Sequence, residues 1–199
     1  MCSRYSIEAP QGSALAGLLA KCGFTAASSG EVRPSQRAPV LIDAPQGAAV
    51  LAMDWGFPAP EGGLVINARS ETAAEKPLFR NAVMARRCVL PAASFYEWDG
   101  AKRCHRFFAP QGGPLYLAGL YQSFGGRLCF VILTRPAVGA MCTIHDRMPL
   151  LLGPQDVKPW LHSVSAALPL LCAAPPPLQR QPAGDDPAPL GQRETGCEI

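Results

Sequence analysis

From residue 48 to residue 133 the chain reads as one strand after another: AAVLAMDW, LVIN, RCVLP, SFYEW, HRFFAP, LYLAGLY and RLCFVILT. The runs are short and rich in β-branched and aromatic residues. Turn chemistry separates several of them, as DGAK, PQGGP and FGGR. Only one helix is expected among them, around residues 77–87, with Leu78 and Val83 on its apolar side and Arg86–Arg87 at its end. Without a βαβ alternation there is no basis for a parallel doubly wound sheet. An α+β fold is expected: a bent antiparallel or mixed β-sheet closing into a barrel-like core, with a few peripheral helices.

The flanks are plainer. Residues 13–22 place Leu15, Leu18, Leu19 and Cys22 at helical spacing, with Ser13 to cap the start and Gly23 the end. Residues 24–47 carry Ser, Gly and Pro and read as an irregular loop. Residues 154–162 suggest a short helix with Pro154 in its first turn, weakened by Pro159. The 199 residues suit one domain over 1–172 and a Pro-rich tail, extended or mobile, over 173–199. No internal repeat is present.

With 48% apolar and 17% charged residues, the chain can bury a sizeable core. Its net charge is +3, and the residues up to Cys172 carry 16 basic against 11 acidic side chains, or +5. Fourteen of the 18 basic residues are Arg, which pairs with phosphate and stacks on bases. Such a balance permits a nucleic-acid partner without demanding one. The eight cysteines, at 2, 22, 88, 104, 129, 142, 172 and 197, form no C-x-x-C pair, so no metal site is expected. Cys142 and His145 form a C-x-x-H without a second ligand pair. No secretory signal or apolar run of membrane-span length is evident, and a cytoplasmic monomer with reduced thiols is expected.

Four places carry residues suited to chemistry. Met1-Cys2 comes first: removal of Met1 before a small second residue leaves an amine and a thiol on the same residue. That 1,2-aminothiol condenses with an aldehyde to an imine and closes to a thiazolidine. Equally, Cys2 is an incidental residue in a frayed terminus. Next, INARSET at 66–72 ends a strand on Asn67, with Arg69 able to reach a phosphate and Ser70 and Glu71 able to cap the following helix. In SFYEW at 94–98, Glu97 lies among Phe95, Tyr96 and Trp98; it is either a carboxyl of raised pKa or the solvent side of an alternating strand. Last, TIHDRMPLLL at 143–152 holds His145 between polar neighbours at the entry to an apolar run. It suits an acid/base role or a structural hydrogen bond.

Taken together, MCSRY, DWGFPAP (54–60), INARSET, residues 75–98, LAGLY (117–121) and residues 132–152 resemble the SRAP (SOS response-associated peptidase) family. The resemblance implies proteins that sense abasic sites in single-stranded DNA and capture them covalently. It assigns Cys2 as the cross-linking residue, Asn67 as the group that positions it, and Glu97 and His145 as the acid/base pair. Arg4, Arg69 and Arg147 are expected to contact DNA, with Trp55 and Phe57 stacking on a base or belonging to the core. The partner implied is DNA carrying abasic sites, with nucleoid association when bound and no cofactor. The family name preserves an older idea, that the protein clips its own amino terminus. A cysteine hydrolase using Cys2, His145 and Asn67, and a non-catalytic single-strand-binding module, are the competing readings. Ser3 stands where the family usually has Gly, Glu31 where it usually has Asn, and the stretch 57–65 is short.

Overall fold

The computed structural model describes residues 2–7, 12–20 and 30–184. In chain order the elements begin with β1 (Tyr5–Ser6), α1 (Ala14–Ala20), β2 (Glu31–Val32), β3 (Arg37–Ala44), β4 (Gly47–Trp55), β5 (Phe57–Pro58), β6 (Leu64–Val65) and β7 (Asn67–Arg69). They continue with α2 (Pro77–Ala85), β8 (Arg87–Ala92), β9 (Ser94–Trp98), β10 (Cys104–Phe108), β11 (Leu115–Phe124) and β12 (Arg127–Pro136). The chain then runs through β13 (Arg147–Pro149), β14 (Leu151–Leu152), α3 (Val157–His162), α4 (Val164–Leu170) and β15 (Gln179–Pro182).

Five strands close on themselves in the order β12–β4–β3–β8–β11 and back to β12. All joints are antiparallel except β12–β4, which runs parallel through Cys129↔Asp54 and Phe130↔Trp55. The expected barrel-like core is therefore a closed five-stranded barrel. Its tightest hairpin is FGGR, where Gly125 and Gly126 take φ of 57° and 81° between Phe124 and Arg127. Positive φ at both central positions is what a two-residue turn of matching twist needs, and glycine supplies it without strain. Period-two alternation divides the strands. Val40, Met53, Leu90, Leu117, Phe130 and Ile132 point into one cluster, and Leu41, Val89, Leu120, Val131 and Leu133 into the other. A barrel this small leaves little room inside. A Cβ on Gly119 would sit 2.8 Å from both Leu90 Cδ1 and the Val131 carbonyl oxygen.

A second sheet, β15–β10–β9–β1–β2, shares the inner cluster, and Phe95 and Phe107 stack within it with ring centroids 5.1 Å apart. The chain passes from barrel to second sheet at Ala93, between β8 and β9. The outer cluster is covered by α2, α3 and α4 through Ala82, Val83, Trp160, Leu161 and Ala167. Burying an indole such as Trp160 contributes roughly 4–6 kcal/mol by area. Its Nε1 also donates to the Cys88 carbonyl at 2.9 Å. Beside it the buried Arg87 donates to four carbonyls, Val83 and Met84 at the end of α2 and Trp160 and Leu161 in α3. One guanidinium thus closes the carboxyl ends of two helices onto the barrel.

Several sequence expectations need correction. The stretch read as an irregular loop holds β2 and the eight-residue β3. Pro39 lies in β3 outside the Leu41–Ile42 segment that also pairs with β8, where a missing N–H costs no ladder bond on that side. LVIN is not one strand: Leu64–Val65 pairs with β5, and the chain restarts at Asn67 beside β12. The helix expected over 77–87 stops at Ala85, and Arg87 already belongs to a strand. Residues 154–162 divide into a 3₁₀ turn, Pro154–Asp156, and α3, where Pro159 sits harmlessly in the first turn. A further helix, α4, follows, capped by Ser163 Oγ accepting from the Ala166 N–H at 3.2 Å. The tail contributes β15, which pairs with β10. At the other end Ser13 does cap α1, accepting from Ala16 N–H at 3.1 Å, while Cys22 and Gly23 lie outside the described residues.

Candidate functional site

Cys2 lies inside the protein with no solvent exposure, in the inner cluster with Tyr5, Trp55 and Phe130. Asn67 Nδ2 donates to the Cys2 carbonyl oxygen at 2.9 Å. Asn67 is placed there by β7, which lies parallel to β12 through Ile132↔Asn67, Leu133↔Ala68 and Thr134↔Arg69. Its Oδ1 is buried and has no hydrogen-bond partner among the described residues. The Cys2 thiol makes only a long contact, 3.8 Å, to the Arg4 carbonyl oxygen.

Glu97 reaches the same place from β9, which flanks β1 through Tyr5↔Phe95. It is 2% exposed, and burial pushes its carboxyl up to about 7. The cause differs from the one the sequence suggests. Tyr96 and Trp98 alternate to the opposite face of β9, where both rings stack on the Arg4 guanidinium at 4.5 and 4.6 Å. It is the core-facing side of the strand that desolvates the carboxyl. The Cys2 thiol is also driven well above the ordinary thiol value, by burial first and by the Glu97 charge second. Sulfur and carboxyl are therefore electrostatic neighbours.

His145 lies in the loop before β13, its ring about three-quarters covered. Its Nδ1 accepts from the Arg147 N–H at 2.9 Å and lies 2.6 Å from Asp146 Oδ1. The two contacts suit different protonation states. A neutral ring accepts from the amide and carries its proton on Nε2, whereas a charged ring donates Nδ1–H to the carboxylate. Ile144 and Met148, on either side of this segment, pack with the cluster that holds Cys2. The charge of Asp146 adds to the rise at Glu97. The structure thus gathers Cys2, Asn67, Glu97 and the 144–148 segment around one end of the inner cluster.

The expected DNA contacts separate. Arg69 is exposed, its side chain making no ion pair or hydrogen bond among the described residues, while its neighbour Ala68 is buried. Arg147 forms a two-armed pair with Glu71, through Nη1 to Oε1 and Nη2 to Oε2, and also donates to the Thr134 carbonyl at 2.7 Å. That pairing holds the Glu71 carboxyl below its usual range. Ser70 and Glu71 therefore do not cap α2, which starts at Pro77 without a side-chain cap. Arg4 is 2% exposed, between its two aromatic rings and in contact with Glu31 at 3.3 Å and Cys104 Sγ at 3.0 Å. In this structure it is an internal strut. Trp55 and Phe57 are fully buried, Trp55 donating to the Ile66 carbonyl at 2.9 Å. Of the two readings of DWGF, the structure supports the core. Tyr5 carries no motif and nothing in the sequence marks it as a site residue, yet its ring belongs to the Cys2 cluster and its hydroxyl is buried. Among the described residues no group of His, Cys, Asp or Glu side chains converges as a metal cage.

A barrel with a buried amino-terminal cysteine held by an asparagine, beside a buried glutamate, places the chain in a class that comparison identifies. The chain belongs to the SRAP family, described as SOS response associated peptidase, whose model matches residues 1–180. Among its relatives is the abasic site processing protein YoqW of Bacillus subtilis, 35% identical over 147 residues. That match covers 66% of this chain and 65% of YoqW, so it spans just under two thirds of the relative's length. The abasic site processing protein YedK of Escherichia coli is 31% identical over 117 residues, covering 54% of this chain and 52% of that protein. A phage-related protein from Bordetella bronchiseptica, solved by crystallography, shares the fold with a TM-score of 0.75 at 22% identity, covering 92% and 95% of the two chains. No helix among the described residues is long and apolar enough to cross a membrane.

Proposed function

We propose that this protein captures abasic sites in single-stranded DNA by forming a thiazolidine through Cys2 once Met1 is removed, shielding the lesion. The observation that carries the reading is the Asn67–Cys2 hydrogen bond beside a buried Glu97 whose carboxyl titrates near neutrality. Loss of Met1 turns the Cys2 nitrogen from an amide into an α-amine on the residue Asn67 already holds. Abasic deoxyribose is mostly a closed hemiacetal. Glu97 or His145 assists its opening to the aldehyde by proton transfer. The amine adds to C1′, and the carbinolamine loses its hydroxyl as water with a proton from the Glu97 carboxyl. The thiol then adds to the imine carbon, its proton ending on the ring nitrogen. Asn67 limits the freedom of the attacking residue and so lowers the entropic cost. A carboxyl near 7 is divided between both forms at neutral pH, so it can serve as acid in one direction and base in the other. Arg69, exposed and uncommitted, is the side chain best placed to meet a DNA phosphate.

The test is a denaturing gel after incubating the protein, with loss of Met1 verified by mass spectrometry, with single-stranded DNA bearing one abasic site. A shifted band that survives denaturation and disappears in Cys2→Ala is expected. Blocking the terminal amine by acetylation should also abolish it, whereas a thiol hydrolase would stay active. Binding without any covalent band would overturn the reading in favour of a non-catalytic binding module.

A further inference from the structure

The chemistry just proposed leaves one difficulty in this chain. The Cys2 thiol must give up its proton to attack the imine, yet it is fully buried and raised by both desolvation and the Glu97 charge. Its one hydrogen-bond contact is with the Arg4 carbonyl, an acceptor, which favours the thiol over the thiolate. Something in the cluster has to offer a proton to sulfur.

One buried donor in the cluster is uncommitted. The Tyr5 hydroxyl is inaccessible to solvent and has no hydrogen-bond partner among the described residues. A buried phenol without a partner forfeits a hydrogen bond that water would supply, and such groups need a reason. Its position is fixed twice over. The backbone of β1 pairs with Phe95 on one side and Val32 on the other, and the ring packs against Trp55 with centroids 5.3 Å apart. Cys2 and Tyr5 share one buried cluster, and a negative charge on Cys2 is felt at the phenol.

We infer that Tyr5 is a positioning residue for the ring-closing step, its O–H donating to the Cys2 sulfur as the thiol ionises. The inference rests on the proposed reading of the site. The donor stands idle while sulfur carries its proton and gains a partner when sulfur becomes an anion, so its stabilisation is felt on the way to attack. When the C–S bond forms, the thiol proton has passed to the ring nitrogen and the phenol keeps its own.

The experiment uses the full chain with Met1 removed and compares wild type with Tyr5→Phe in cross-linking to single-stranded abasic DNA across pH 6 to 9. Tyr5→Phe is expected to slow cross-linking about tenfold at neutral pH and to shift the rising limb of the rate profile to higher pH, with the rate recovering at the alkaline end. Its melting temperature should stay level or rise, because the hydroxyl it removes has no partner in the resting fold. A merely structural tyrosine would lower the melting temperature and leave the profile's midpoint in place, and that result would overturn the inference. So would a variant matching wild type in rate and midpoint. A wild type that forms no Cys2-dependent cross-link would instead remove the reading of the site itself. Should Tyr5→Phe fold poorly, fluorotyrosine at the same position keeps the test: a more acidic phenol should move the midpoint to lower pH, and an unmoved midpoint overturns the proposal.

Discussion

Replacing Glu97 by Gln should convert a pH-dependent stability into a nearly pH-independent one. The carboxyl titrates at about 7 in the folded protein, against an ordinary value of 4.5. Below pH 4.5 both folded and unfolded chains hold the proton, so the group contributes no difference. As pH rises from there the unfolded chain releases its proton while the folded chain keeps it, and stability falls. The loss is complete once pH passes about 7 and both states are ionised. At about 1.4 kcal/mol per pH unit, the gap costs wild type about 3 kcal/mol across that window. The amide introduced by Glu97→Gln cannot ionise and escapes the loss. The assay is urea unfolding of both proteins at half-unit intervals from pH 4.5 to 8. The difference in unfolding free energy, variant minus wild type, should climb by about 3 kcal/mol. A difference that stays flat would show that Glu97 is ionised throughout, and the desolvation reasoning would fail with it.

Arg87→Met should destabilise the fold by about 2–4 kcal/mol, because four helix-end carbonyls lose their donor at once; equilibrium unfolding reads this directly. Arg87→Lys should recover only part, since an ammonium group cannot spread its donors over two helices. Asn67→Ala should slow cross-linking by at least about tenfold in single-turnover kinetics without loss of DNA affinity, since it frees the Cys2 carbonyl rather than touching a phosphate. Arg69→Ala should do the reverse: DNA affinity falls and the slope of log affinity against log salt drops by about 1, measured by fluorescence anisotropy.

The barrel was legible because its strands carry regular alternation and glycine-bearing turns, FGGR above all. β3 is hidden in the sequence because Pro34, Pro39 and Pro45 outweigh the run Val40-Leu41-Ile42, and only the pairing with β4 and β8 shows that Pro39 sits where no ladder bond is lost. The site residues stand out for a related reason. Asn67, Glu97 and His145 are polar groups placed at strand ends or within apolar strands, where a core would not choose them. Roles that depend on which face a side chain takes were harder to read. Arg4 and Trp55 have the chemistry of DNA contacts, but both turn inward and are buried, as Tyr5 and Met53 beside them are. Nothing local announces that Arg87 meets Trp160 and Leu161, 73 and 74 residues away.

Strand β12 belongs to the barrel wall on both sides, yet its far half also carries β7 and β13. Asn67 hangs from Ile132 and the Arg147 end of the histidine loop from Pro136, four residues further along. The reactive end of the molecule and the closure of the barrel are thus one ladder. Amide hydrogens of residues 132–135 should exchange with solvent only when the whole protein opens, and the site should have no looser state of its own short of that opening. A damage sensor built this way is either fully assembled or absent, so a partly unfolded copy would not hold an armed cysteine.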